Sequence, residues 1–177
     1  GSTSGSYFTA GVLEVKGSFT QLSTFDAESD RYNFRTSGTH KVLLSGDEVQ
    51  SVSFHDYHLS YFTELEIGNN LAAGIIWSTP YNVTNLTANG NKLTKLVIGR
   101  NWTLNEDVTI ADDLSFRNSS TLDLNGKTLV VEGDLLHNIG TININNGTLI
   151  IKGDYRIQAP TDDGYTHSSG LLRMVNA

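Results

Sequence analysis

An all-β fold, a parallel β-helix or β-solenoid whose coils take about 20 residues each, is what three features of this 177-residue chain predict. The first is an internal repeat. Thr121-Leu122-Asp123-Leu124-Asn125 aligns with Thr141-Ile142-Asn143-Ile144-Asn145, and Thr128-Leu129-Val130-Val131-Glu132-Gly133-Asp134 aligns with Thr148-Leu149-Ile150-Ile151-Lys152-Gly153-Asp154, both at an offset of 20. The second is alternation of apolar and polar residues along most of the chain, the mark of strands with one buried face. The third is the scarcity of any apolar stripe at i, i+3, i+4, i+7, so helix is expected to be nearly absent.

From the N-terminal side, Leu13 with Val15, Val42 with Leu44, Val52 with Phe54, and Leu65 with Ile67 each flank a more polar residue. Each pair predicts a short strand. Residues 74–79, GIIWST, predict another, while the stretches 23–36 and 79–92 are expected to bulge as loops. Farther on, Val108 with Ile110, Leu114 with Phe116, and Leu122 with Leu124 continue the alternation. A coil of this length cannot bury its apolar side alone, but stacked coils can. Leu124 is therefore expected above Ile144, Leu129 above Leu149, Val131 above Ile151 and Leu135 above Tyr155. Asn125 over Asn145 would form a ladder of stacked corner amides, with Gly133 and Gly153 setting the neighbouring corner.

The period slips once. Leu104 precedes Leu124 by 20 residues, whereas Val108 and Ile110 precede Leu129 and Val131 by 21, which places one extra residue in the turn between them. Gly11–Gln21 also matches Gly147–Ile157, with Leu13 on Leu149, Val15 on Ile151, Lys16 on Lys152, Gly17 on Gly153 and Phe19 on Tyr155. The two ends look alike, as they would in one window of a longer array. About eight coils, roughly 40 Å at one strand spacing per coil, follow from the length. Residues 1–6, GSTSGS, read as a linker or cloning scar, and 7–177 as a single solenoid module.

The segments LDLNGKTLVVEGDL, GTLIIKGDYRIQ, GVLEVKGSFTQ and GTHKVLLSGDEVQSVSF resemble the tandem β-solenoid repeats of very large secreted or surface-attached bacterial proteins of the adhesin or exoprotein kind. The resemblance covers most of residues 7–177. It implies an extracellular or cell-surface location and neighbouring repeats as partners; it carries over no catalytic residue.

Composition narrows the function classes. A formal net charge of −7 with no cluster of Lys and Arg argues against nucleic acid as partner. Zero Cys excludes disulfide frameworks and thiolate metal sites. No apolar run is long enough for a membrane helix, and none marks a signal peptide.

Individual residues raise sharper possibilities. Trp77, Tyr81 and Trp102, together with Tyr57, Tyr61 and Phe62, could stack on sugar rings as a polysaccharide-binding surface if exposed, or fill the core if not. Among the acids, Asp112, Asp113, Asp162 and Asp163 (with Glu106 and Asp107 nearby) could offer oxygens to Ca²⁺, although the glycine-rich nonapeptide of calcium-binding β-rolls is missing and solvated turns are the default. No other cofactor is expected. His55 and His58 stand three apart, which on a strand points them to opposite faces and spoils chelation unless a turn intervenes. His40 is expected to bond a neighbouring coil, and His137 and His167 complete the histidines. Lys152 and Arg156 lie one coil beyond Glu132 and Leu136, not beyond a carboxylate cluster, and no Ser/His/Asp order, HExxH or phosphate-cradling loop occurs. Sequons at Asn82, Asn85, Asn101, Asn118 and Asn146 match by composition in so Asn- and Thr-rich a chain.

The expected function is structural, a non-catalytic stalk or adhesive-fibre module. The alternative is polysaccharide binding through exposed aromatic residues. Unpaired edges at both ends of such a stack also predict end-to-end self-association.

Overall fold

A computed structural model describes residues 8–22, 34–69, 74–158, 165–166 and 169–175. The chain divides between Asn89 and Gly90 into two compact units. Each is a parallel β-solenoid: the strand pairings among the described residues are all parallel, and none of these residues is helical.

In the first unit β1 (Val12–Val15), β3 (Lys41–Leu44), β5 (Phe62–Ile67) and β7 (Val83–Thr87) form one sheet in that order. A second sheet stacks β2 (Phe19–Gln21), β4 (Gln50–Phe54) and β6 (Ile75–Trp77). Outside these two sheets an isolated parallel bridge joins Arg35 and Tyr61. Aromatic residues fill the interior. Phe62 is fully buried and its ring meets those of Phe34, Phe54 and Trp77 at centroid distances of 5.7, 5.5 and 6.3 Å. Residues 79–92 contain β7, whose Leu86 and Val83 are buried, so this stretch is a coil wall and not the projecting loop expected of it. Its Asn and Thr residues resemble loop composition, but they are interspersed with buried Val83, Leu86 and Ala88.

The second unit is more regular. Its strands are β8 (Val97–Ile98), β9 (Trp102–Thr103), β10 (Val108–Ile110), β11 (Leu114–Phe116), β12 (Thr121–Asp123), β13 (Thr128–Val131), β14 (Leu135–His137), β15 (Thr141–Asn143), β16 (Thr148–Ile151), β17 (Tyr155–Ile157), β18 (Tyr165–Thr166) and β19 (Leu171–Met174). They form three sheets: β10-β13-β16-β19, β8-β11-β14-β17 and β9-β12-β15-β18. Leu129 pairs with Leu149, Val131 with Ile151 and Leu135 with Tyr155, as the repeat requires. The one-residue slip is also present, since Trp102 pairs with Leu122 whereas Val108 pairs with Leu129. Aliphatic ladders make this core: Leu122, Leu124, Leu129, Val131, Leu135 and Leu149 are all at zero exposure. Each such burial is worth about 2 kcal/mol in area removed from water.

The described chain winds about six turns where eight were expected. Coil length is the reason. Val12 pairs with Lys41 and Lys41 with Glu64, steps of 29 and 23 residues, before the step from Glu64 to Asn85 shortens to 21. The likeness between the two ends is structural as well as sequential: β1 and β2 are separated by the same three-residue corner as β16 and β17.

Candidate functional site

The aromatic candidates lie inside. Trp77 is 4% exposed, Tyr81 0% and Trp102 1%. Trp77 and Tyr81 do stack, with centroids 3.6 Å apart and planes at 15°, but they stack within the core of the first unit. Phe62 is buried with them, while Tyr57 and Tyr61 are half-exposed. Of the two placements open to Trp77, Tyr81 and Trp102, an exposed sugar-stacking surface or the core, the structure shows the core. Rings this large satisfy the apolar side of a wide coil better than an aliphatic side chain can, which is why they turn inward.

The acidic candidates sit at corners, where they hold backbone. Both carboxylate oxygens of Asp112 accept the Lys95 N–H, at 3.1 and 2.9 Å. Burial pushes the Asp112 carboxyl above its ordinary range, and the Lys95 N–H opposes that shift only in part. Asp113 Oδ1 accepts the Asp134 N–H at 2.8 Å, and Asp134 Oδ1 accepts the Asp154 N–H at 2.8 Å. One aspartate per coil thus caps the next coil's corner. Asp162 and Asp163 lie outside the described residues, as does His167. Among the described residues no group of three or more His, Asp or Glu is gathered as a metal site would need.

The glycine and asparagine corners explain the repeat's punctuation. A Cβ on Gly153 would lie 2.6 Å from the Gly133 carbonyl oxygen, and one on Gly133 would lie 2.7 Å from the Asp112 carbonyl carbon. Only glycine allows successive coils to approach this closely. Asn125 and Asn145 adopt φ of 48° and 39°, the left-handed region that Asn tolerates. They do not form the expected amide-to-amide ladder. Asn125 Nδ2 donates to the Leu104 carbonyl at 3.2 Å, and Asn145 Nδ2 donates to Asp123 Oδ1 at 3.3 Å. In the left-handed corner each amide meets a backbone or carboxylate acceptor of the preceding coil instead.

Several ties were not evident from residue type. Gln50, 1% exposed, donates through Nε2 to the carbonyls of Val15 and Gly17 at 2.9 and 2.7 Å. Its Oε1 accepts the Gly46 N–H at 2.8 Å and Asn69 Nδ2 at 3.2 Å. One amide therefore binds three coils of the first unit together. In the second unit Glu132 receives Lys92 and Lys152, both at 2.9 Å, and the two ammonium groups hold its carboxyl below the usual carboxylate range. Arg156 pairs with Asp134 at 2.8 Å and Asp154 at 3.2 Å. Aligning the repeats would have flagged Glu132 over Lys152, since opposite charges fall at matched positions; Gln50 lies where the repeat is least legible.

His40 Nδ1 donates to the Ala10 carbonyl at 2.8 Å, the neighbouring-coil bond expected of it. Buried His137 donates from Nε2 to the Gly140 carbonyl at 3.0 Å and meets the Tyr155 hydroxyl at Nδ1, 3.1 Å away. A turn does intervene at residues 55–59, leaving His55 and His58 exposed with Asp56 Oδ1 accepting the His58 N–H. Of the sequons, Asn82 is buried and donates to the Tyr57 carbonyl at 3.0 Å; Asn85, Asn101, Asn118 and Asn146 are exposed. A groove of about 250 Å³ in the second unit runs past Asp107, Thr109, Thr128 and Val130, and its carboxylate, Asp107, already accepts the Thr128 N–H. Comparison of the chain with protein-family profiles, with curated proteins and with solved structures finds no match in any of the three.

Proposed function

We propose that the chain is a structural repeat module, a non-catalytic segment of a stalk or adhesive fibre belonging to a large bacterial extracellular surface protein. The observation that carries this reading is where the polar side chains spend their bonding capacity. Asp113, Asp134, Asn125, Asn145, Gln50 and Glu132 each bond an adjacent coil. Groups committed to coil-to-coil bonds resist shear between coils, which is what a load-bearing element requires. The bacterial, extracellular origin rests on the likeness of the repeat grammar to exoprotein segments.

Two measurements test the reading. Pulled from its ends, the chain is expected to unfold at high force in steps of about one coil, since each coil's contacts lie with its neighbours. Incubated with a panel of soluble and insoluble polysaccharides, it is expected to bind none saturably. Saturable binding would overturn the stalk in favour of a sugar-binding module, and unfolding at forces typical of a loosely packed domain would remove its mechanical basis.

A further inference from the structure

Exposed apolar residues are not scattered evenly over this protein. Of the seven large ones among the described residues, Val12 lies on β1, Leu22 directly follows β2, Ile157 is on β17, and Leu171 and Met174 are on β19. Among the described strands β1 is at one edge of its sheet and β19 at one edge of its own. An edge strand with apolar side chains on both faces and unpaired backbone is a template for another strand.

The two edges fit each other. On β19, Leu172 and Met174 pair with core residues Leu149 and Ile151, so they continue the buried ladder, while Leu171 and Arg173 alternate to the other face. On β1, Leu13 and Val15 pair with core residues Val42 and Leu44, while Val12 and Glu14 alternate outward. We propose that a second copy of this chain adds its β1 to the edge of β19 that no described strand pairs, in parallel register Val12 on Leu171, Leu13 on Leu172, Glu14 on Arg173 and Val15 on Met174.

Three independent features select that occupant and register. β1 matches β16, the strand already paired with β19, so that Val12 corresponds to Thr148, the residue opposite Leu171. Both inward positions then meet apolar residues, and a slip by one residue would place Leu13 and Val15 on the outer face. The outer positions meet as Glu14 and Arg173, opposite charges directly across a strand pair. The inference deepens the structural reading and rests on it: the contact extends a coil stack from molecule to molecule, the behaviour of a fibre element.

The absence of native Cys makes the test clean. Parallel neighbours stand about 4.8 Å apart, inside the Cα separation a disulfide accepts. Val12→Cys protein mixed with Leu171→Cys protein under mild oxidation is expected to give covalent mixed dimers, and Val15→Cys mixed with Leu171→Cys to give at least tenfold fewer. Adding Glu14→Arg to the first partner should cut the yield at least tenfold; adding Arg173→Glu to the second should restore it. Wild-type protein should sediment as concentration-dependent oligomers. A monomer at all concentrations, linkage equally efficient from position 15, or indifference to charge reversal would each overturn the junction. Any of these with high unfolding force retained leaves the stalk reading standing, whereas saturable sugar binding would remove the stalk reading without touching the cross-linking result.

Discussion

The two units solve one problem by different chemistry. The first has long, uneven coils, packs Phe34, Phe54, Phe62, Trp77 and Tyr81 into its interior, and ties three coils together with the buried amide of Gln50. The second has coils of 20 or 21 residues from β10 to β16, aliphatic ladders, and ties placed outside the core at aspartate and asparagine corners. A coil that varies in length cannot repeat its contacts, so the first unit relies on a few large, particular ones. A coil of fixed length repeats small ones. The difference teaches that regularity in a solenoid substitutes for side-chain size.

This contrast predicts that damage is concentrated in the first unit and shared in the second. The largest expected effect is Phe62→Ala, which empties the centre of the aromatic cluster and should cost about 3 to 5 kcal/mol, read from the urea midpoint. A loss under 1 kcal/mol would mean that the cluster does not hold the first unit. Gln50→Ala comes next, at about 2 to 3 kcal/mol, because the Gly46 N–H and the Val15 and Gly17 carbonyls lose their partner in a buried place.

In the second unit the effects should be smaller and more local. Gly153→Ala pushes a methyl group against the Gly133 carbonyl and is expected to cost about 1 to 3 kcal/mol, with faster amide exchange at Asp154 than at Asp134. Asn125→Ala should cost about 1 kcal/mol, since it loses the bond to Leu104 and places Ala at positive φ; Asn125→Gly should recover part of that through its backbone freedom. If the two variants are equally unstable, the corner's backbone conformation is not what Asn provides.

The smallest effect is electrostatic. The carboxyl of Glu132 is held below its ordinary value near 4.5 by Lys92 and Lys152, so its contribution is complete above that value in the unfolded chain and is lost as pH falls through the lower folded value. Glu132→Gln should therefore flatten the decline in stability below about pH 4.5, and 1 M salt should shrink the difference because the lysines are exposed. Asp112 acts in the opposite sense. Burial raises its carboxyl, so its protonation on acidification favours the folded chain.

Much of the second unit was legible in the sequence because its register is carried by residues that recur at a fixed distance. Leu129 over Leu149, Val131 over Ile151, and the slip at Val108 follow from the spacing alone. The first unit was less so. Lengthened coils hide the offset between Val12 and Lys41, and Asn- and Thr-rich β7 has the composition of a loop although Val83 and Leu86 face inward. For Trp77, Tyr81 and Trp102 the obstacle was different: alternation permits either face, and only the packing of a wide coil decides that these rings turn inward. The corners were half legible. Gly133 and Gly153 stand where coils approach closely, but the partners of Asn125 and Asn145 depend on the left-handed turn and not on the stacking of like residues.

The corner bonds made through side chains have a direction. Asp134 and Asp154 give their N–H groups back to Asp113 and Asp134, Thr128 gives its own back to Asp107, and Asn125 and Asn145 reach back to Leu104 and Asp123. Each of these protons travels from the later coil to the earlier one. A finished coil thus presents these acceptors beside forward-donating N–H groups such as those of Leu114, Gly126 and Leu135, and the next segment of chain arrives with the matching donors and carbonyls. Such a stack can set in the order in which a ribosome delivers it, each turn serving as the mould for the one that follows.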